Sequence, residues 1–216
     1  GARRRAYAIR SVWFEPGTAP YLASLGTMRA ARFTQFREAL SKWGVPSSSH
    51  VFADARGDIG WAVAGFSPVR SNWDGLLPVP GNGRFEWDGF FPAARLPWTV
   101  NPVIGFLYSA NQPNLPDDWD HSADQIGYEW LESSRADRIR ETLAADSTHS
   151  VLSSCNLQTD TTSLVARRLT KLLTPSAHDA SSRLLSHWDH KLDAESPAAA
   201  LFETWWTRHL RPRLFE

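Results

Sequence analysis

Residues 50–65 read HVFADARGDIGWAVAG, two apolar-rich runs joined by Arg56-Gly57-Asp58, and they decide the strand half of the fold. Valine, isoleucine, phenylalanine and tryptophan suit a pleated, half-buried backbone. Gly57 supplies the positive φ that a tight connection between two antiparallel strands demands, so the segment is read as a β-hairpin. Upstream, residues 21–43 switch to helical spacing. Phe33, Phe36, Leu40 and Trp43 recur at three- and four-residue steps, which gives one apolar face, and Gly44 and Pro46 close the helix. Before it, the run AYAIRSVWF at 6–14 is rich in β-forming residues and stops at Glu15-Pro16-Gly17, so it is predicted to be a strand ending in a turn.

Downstream of the hairpin, residues 67–102 are dense in proline and glycine, carry Trp73, Trp87 and Trp98, and hold no period. A long ordered loop that wraps a surface is expected, with the tryptophans stapling it to the core rather than lining a pocket. Residues 105–111, GFLYSAN, are expected to form a short strand ending on polar side chains. Beyond residues 117–124, an acidic loop, the pattern is helical. Ser134 with Asp137 has the capping-box form, and Ile139 and Leu143 follow at helical spacing. Val165, Leu169, Leu172 and Leu173 mark a helix before Pro175, with Asp160 as its expected N-cap beside Gln158. Ser176 and Asp179 cap the next, with Ala177, Ala180, Leu184 and Trp188 on its face. Ser196-Pro197 opens the last, which contains Leu201, Phe202, Trp205 and Trp206. The fold class is therefore α+β: a strand-and-loop part over 1–112 and a mainly helical part, with about four helices, over 113–216.

Lysine plus arginine equals aspartate plus glutamate at 23 each, so no long-range field draws the chain to nucleic acid or anionic lipid. No run approaches the roughly 18 apolar residues that span a bilayer, so neither nucleic acid nor membrane is an expected partner. Cys155 is the only cysteine, which excludes an internal disulfide and a thiolate metal cage. A lone cysteine beside a helix start is expected to be a small buried hydrophobe.

Several motifs invite sharper readings. Asp118, Asp120, Ser122, Asp124 and Glu129 fall on the ligand positions of a calcium loop, but Ala123 stands where that loop needs its turn glycine, so a solvated acidic loop is preferred. His187 and His190, three apart around Asp189, have a spacing compatible with a metal pair. Nothing nearby completes a ligand set, and packing or surface roles are expected. Ser71-Asn72 imitates the opening of a processed subunit, though an ordinary loop is the better reading.

The segments HVFADARGDIGWAVAG (50–65), WDGLLPVPGNGRFEWDGFFP (73–92), VNPVIGFLYSANQ (100–112), SSRADRIRETL (133–143) and LQTDTTSLVARRL (157–169) occur in one order. Together they resemble the penicillin acylase family of N-terminal-nucleophile hydrolases, over nearly the whole chain. The resemblance implies a partial αββα-type core and a parent enzyme that splits a linear amide into a carboxylic acid and an amine, with no organic cofactor. It implies that an N-terminal Ser, Thr or Cys of a self-cleaved precursor is the nucleophile, with its own α-amine as base. It also implies Asn111 as a side-chain oxyanion donor and Arg138 as the arginine that orients nucleophile and substrate. Some members hold a structural calcium through an aspartate in this region, which makes Asp124 a ligand candidate. The family places its nucleophile well before the hairpin, so the chain is expected to be an internal part of a β subunit, inactive alone. Its expected partners are the small-molecule amide substrate and the remaining α- and β-subunit segments of the precursor. Self-association through uncovered apolar surface is also expected. Export to the periplasm or medium is implied by resemblance alone. The competing reading is a non-catalytic binding or scaffold module of the same fold.

Overall fold

The structure, a computed structural model, describes residues 5–18, 20–120, 125–127, 130–173 and 179–215. The chain divides into two compact units, Gly1–Ser109 with Pro113–Leu131, and Ala110–Gln112 with Glu132–Glu216.

In the first unit the hairpin forms as read. Strand β1 (Ser48–Ala53) pairs antiparallel with β2 (Ile59–Ala64), Phe52 facing Gly60 and His50 facing Ala62. Gly57 takes φ +93°, and the Asp54 carboxylate accepts the N–H groups of Arg56 and Asp58, closing the turn from inside. A third strand, β3 (Trp98–Val100), pairs with the other side of β2, so the sheet order is β1-β2-β3. From the sequence these three residues belong to the long loop. Three residues are too few to show alternation, and their partner lies about forty positions away.

Helices α1 (Pro20–Thr27) and α2 (Phe33–Leu40) replace the single helical stretch expected over 21–43. Phe33 and Leu40 of α2 are buried against Phe52, Ala62 and Ala64, with Phe36 and Trp43 at the margin. Gly60 makes this contact possible, because a Cβ there would sit 2.3 Å from the Phe33 ring.

Two strand expectations fail. Residues 6–14 contain only a 3-10 turn, Val12–Phe14, capped by the Ser11 hydroxyl, while Tyr7, Ile9, Trp13 and Phe14 stay exposed. They pair with no strand among the described residues, and β propensity without a ladder partner does not hold a strand. Residues 105–111 form none either, since Gly105 at φ +78° and Asn111 at φ +65° both leave the extended region. The long loop is ordered by backbone bonds between Val69 and Gly89 and by a bridge between Pro68 and Phe90. Cations lie over its tryptophans, Arg10 at 4.4 Å from Trp87 and Arg37 at 4.1 Å from Trp98, which fits the stapling role. Ser71 donates to the Asp88 carboxylate within the loop.

The second unit is helical: α3 (Ser134–Ala145), α4 (Val151–Gln158), α5 (Leu164–Thr170), α6 (Ala180–Ser186), α7 (Pro197–Trp205), a π turn (Trp206–Leu210) and α8 (Arg211–Phe215). Its core joins Ala166, Leu185, Trp188, Ala198, Ala199 and Phe202. On α6 the buried leucine is Leu185, not the expected Leu184, which is 40% exposed. The caps explain the boundaries. Ser196 accepts the Ala199 N–H ahead of Pro197, Asp179 accepts the N–H groups of Ser181 and Ser182, and Ser163 accepts that of Ala166. Ser176 and Ala177 lie outside the described residues.

Two further expectations are corrected. The capping box at Ser134 does not form: Ser133 occupies the cap position without a capping bond, and Ser134 bonds to the Glu132 carboxylate. A complete box forms instead at Ser150 and Ser153, starting helix α4, which carries too little periodicity to be read in the sequence. Cys155 falls inside α4 and is exposed, not buried, because that helix presents no residue to the core.

Candidate active site

Of the SANQ segment, Ala110–Gln112 belongs to the helical unit. Ala110 is buried and its N–H donates to the Gln112 side chain at 2.6 Å, which folds the loop tightly and turns Asn111 outward at φ +65°. Asparagine is the non-glycine residue that tolerates this left-handed backbone best. Arg135, in the first turn of α3, reaches back with one nitrogen to Ala110 O at 3.0 Å and Asn111 Oδ1 at 2.8 Å. A guanidinium only donates, so the amide oxygen must face it and the Asn111 Nδ2 must face away. No described residue accepts a hydrogen bond from that nitrogen. Asn111 is exposed and lines neither the cavity walled by Leu185, Leu201 and Trp205 nor the one walled by Leu184, Trp188 and Pro197.

Arg138 lies one helical turn further on, and its guanidinium is committed elsewhere. It donates to Asp160 Oδ2 from Nη2 at 2.6 Å and from Nε at 3.2 Å, and to Glu141 Oε2 at 3.2 Å. Glu141 in turn receives Arg167 of α5 on both oxygens, and Arg168 bonds to Asp137 at 2.8 Å. Asp160 is therefore not the N-cap of α5, which is Ser163. Its other oxygen accepts the Thr162 N–H, so the residue ties the α4–α5 connection to α3. The Arg138 bond, with the Thr162 bonds behind it, holds the Asp160 carboxyl at about 2 despite partial burial. Bonding to Asp160 raises Arg138 above its ordinary value, Arg167 lowers Glu141, and Arg168 lowers Asp137. The residue that sequence reasoning missed at Asn111 is Arg135. Its position in the ADRI-bearing segment was visible, but both arginines look alike until the loop's path is known.

The remaining candidates separate. His187 Nδ1 lies 2.9 Å from Arg183 O, and His190 Nε2 lies 2.9 Å from Thr170 Oγ1 with its pKa lowered, chiefly by burial. Both are thus engaged in local bonds. Among the described residues no group of three or more His, Cys, Asp or Glu side chains is placed to hold a metal. Asp124, together with Ser122 and Glu129 of the calcium-loop pattern, lies outside the described residues.

The three-stranded antiparallel sheet and the helical half share the α+β fold of part of an N-terminal-nucleophile hydrolase. A solved thermostable penicillin G acylase from Alcaligenes faecalis superposes with a TM-score of 0.69 at 25% identity, over 90% of this chain and 37% of that one. The chain belongs to the penicillin amidase family, whose profile, described as Penicillin amidase, matches residues 2–216. Curated relatives agree. The acyl-homoserine lactone acylase QuiP of Pseudomonas syringae pv. tomato is 34% identical over 174 residues, 71% of this chain and 20% of that protein. The penicillin acylase 2 proenzyme of Pseudomonas sp. strain SE83 is 30% identical over 204 residues, 91% of this chain and 26% of that protein. The chain thus spans about a fifth to a quarter of the length of these curated relatives. No helix among the described residues is long and apolar enough to cross a membrane.

Proposed function

We propose that this chain supplies the oxyanion-binding part of an amide hydrolase that converts a linear amide into a carboxylic acid and an amine. The observation that carries the reading is the Asn111 amide, fixed by Arg135 so that its N–H is presented outward with no partner among the described residues. A donor held in advance where negative charge develops stabilises a tetrahedral oxyanion without reorganising during the reaction. Arg135 is a positioning residue in this scheme. Arg138 holds the frame, because its guanidinium is spent on Asp160 and Glu141.

The attacking Ser, Thr or Cys belongs, in this reading, to polypeptide outside the sequence, as a processed precursor requires. One relative is itself named a proenzyme. The α- and β-subunit segments of that precursor are the partners, the small amide is the substrate, and the parent protein is exported. Ile9, Phe14, Val103 and Leu172, all largely exposed, are then surfaces for the missing polypeptide to cover. On this reading the 216-residue chain alone is expected to self-associate in light scattering and to leave an acyl-amide reporter uncleaved; turnover by the chain alone would count against it.

The test is Asn111→Ala in the intact protein, assayed with phenylacetyl, fatty-acyl and homoserine-lactone amides. Loss of one oxyanion donor lowers kcat about 100-fold or more, with KM little changed. An unaltered kcat on a substrate the intact protein hydrolyses removes Asn111 from the chemistry. No hydrolysis of any amide by the intact protein favours a scaffold module instead.

A further inference from the structure

On strand β1 Ser48 and His50 are two residues apart and share a face, and the Ser48 Oγ lies 2.8 Å from His50 Nε2. The imidazole is set in an aromatic frame, edge-on to Trp43 with ring centroids 4.7 Å apart and to Phe36 at 6.3 Å. That burial lowers its pKa and so favours the neutral ring, whose Nε2 stands within hydrogen-bond reach of the serine hydroxyl. Ser48 is only half-buried and makes no other side-chain hydrogen bond with a described residue.

The strand register adds a third component. The Asp54 N–H bonds to Asp58 O and the Val63 N–H to Pro97 O, which fixes the alternation of the ladder. Ser48 and His50 therefore direct their N–H groups at β2, and Ser49, between them, directs its own off the open edge of the sheet. The residue after the serine thus carries a backbone donor with no partner among the described residues.

The geometry points to Ser48 as a nucleophile with His50 as its base, able to accept an acyl or phosphonyl group from small activated esters. This assignment does not depend on the amide-hydrolase reading. In the step, the Ser48 hydroxyl proton passes to His50 Nε2 as Oγ bonds to the acyl carbon or phosphorus. The bond to the leaving group breaks, a phenolate or fluoride departs with the electron pair, and the imidazolium passes its proton to that anion or to solvent, so His50 is neutral again. With a carboxylic ester, water then attacks the acyl-serine while giving a proton to the imidazole, the bond to Ser48 Oγ breaks, and the imidazolium returns that proton to Oγ as the acid is released. With a fluorophosphonate the adduct is stable.

The experiment treats the intact protein with a fluorophosphonate and maps the adduct by peptide mass spectrometry, which also separates Ser48 from any other reacting nucleophile. The expected result is an adduct on Ser48 that persists in Ser49→Ala. In His50→Gln the labelling rate falls about 100-fold, the size of a lost general base, and added imidazole partly restores it. An unmodified Ser48 in the untouched protein overturns the assignment without any variant. So does labelling of His50→Gln within twofold of the original rate.

Discussion

Replacing Asp160 by asparagine tests whether the ion-pair network of the helical unit holds its frame. The carboxyl falls from 3.8 to about 2 in the folded protein, chiefly through the Arg138 bond. At 1.36 kcal/mol per unit this corresponds to about 2.5 kcal/mol. The pair is partly open to solvent, with 17% of the Asp160 side chain and 26% of the Arg138 side chain exposed, and screening reduces the figure to about 1–1.5 kcal/mol. The sign follows from a depressed carboxylate pKa. The stabilisation is present above the unfolded value near 4 and is lost as pH falls through about 2. Urea unfolding of the intact protein, followed by tryptophan fluorescence, is expected to show Asp160→Asn less stable by that amount at pH 7. The gap should close as the medium is taken from pH 4 to pH 2. Arg138→Met is expected to cost a similar amount, and the double variant clearly less than the sum, because each single change breaks the same bond. An unchanged midpoint for Asp160→Asn at pH 7, or a gap of equal size at pH 2, refutes the reasoning.

Arg135→Lys keeps the charge but replaces the planar guanidinium, whose one nitrogen bonds both Ala110 O and Asn111 Oδ1, with a shorter side chain ending in a tetrahedral ammonium. It is expected to lower kcat on an amide reporter about tenfold, less than Asn111→Ala does, and a normal kcat denies that the arginine positions the amide. Gly60→Ala drives a methyl to 2.3 Å from the Phe33 ring, so a loss of about 1–3 kcal/mol is expected in chemical denaturation. Phe202→Ala empties the centre of the helical core, where the side chain is 1% exposed, and about 3–5 kcal/mol should be lost by the same measurement.

What could be read in the sequence was what local chemistry decides. The hairpin at Gly57, the apolar face of α2 and the Ser196-Pro197 start all rest on neighbours a few residues apart, and each forms. The failures share a different cause. Residues 6–14 and 105–111 have strand-like composition but no ladder partner among the described residues, while Trp98–Val100, too short to be noticed, becomes a strand because β2 has a free side. Pairing is a property of the partner, and a single segment does not contain it.

The same distinction governs the candidate site. Arg135 and Arg138 stand three apart at the start of one helix, so either is able to reach a loop on that face, and composition does not separate them. What separates them is the positive φ at Asn111, which curls the SANQ loop toward the first turn of α3, and the return of Asp160 from the α4–α5 connection, which occupies the second arginine. Each guanidinium is thereby assigned by its acceptors: a neutral amide and carbonyl for Arg135, two carboxylates for Arg138. An arginine neutralised by two carboxylates has little field left for a substrate. One bonded only to neutral oxygens keeps its full positive charge beside the amide it holds, and that charge favours the oxyanion Asn111 is proposed to bind.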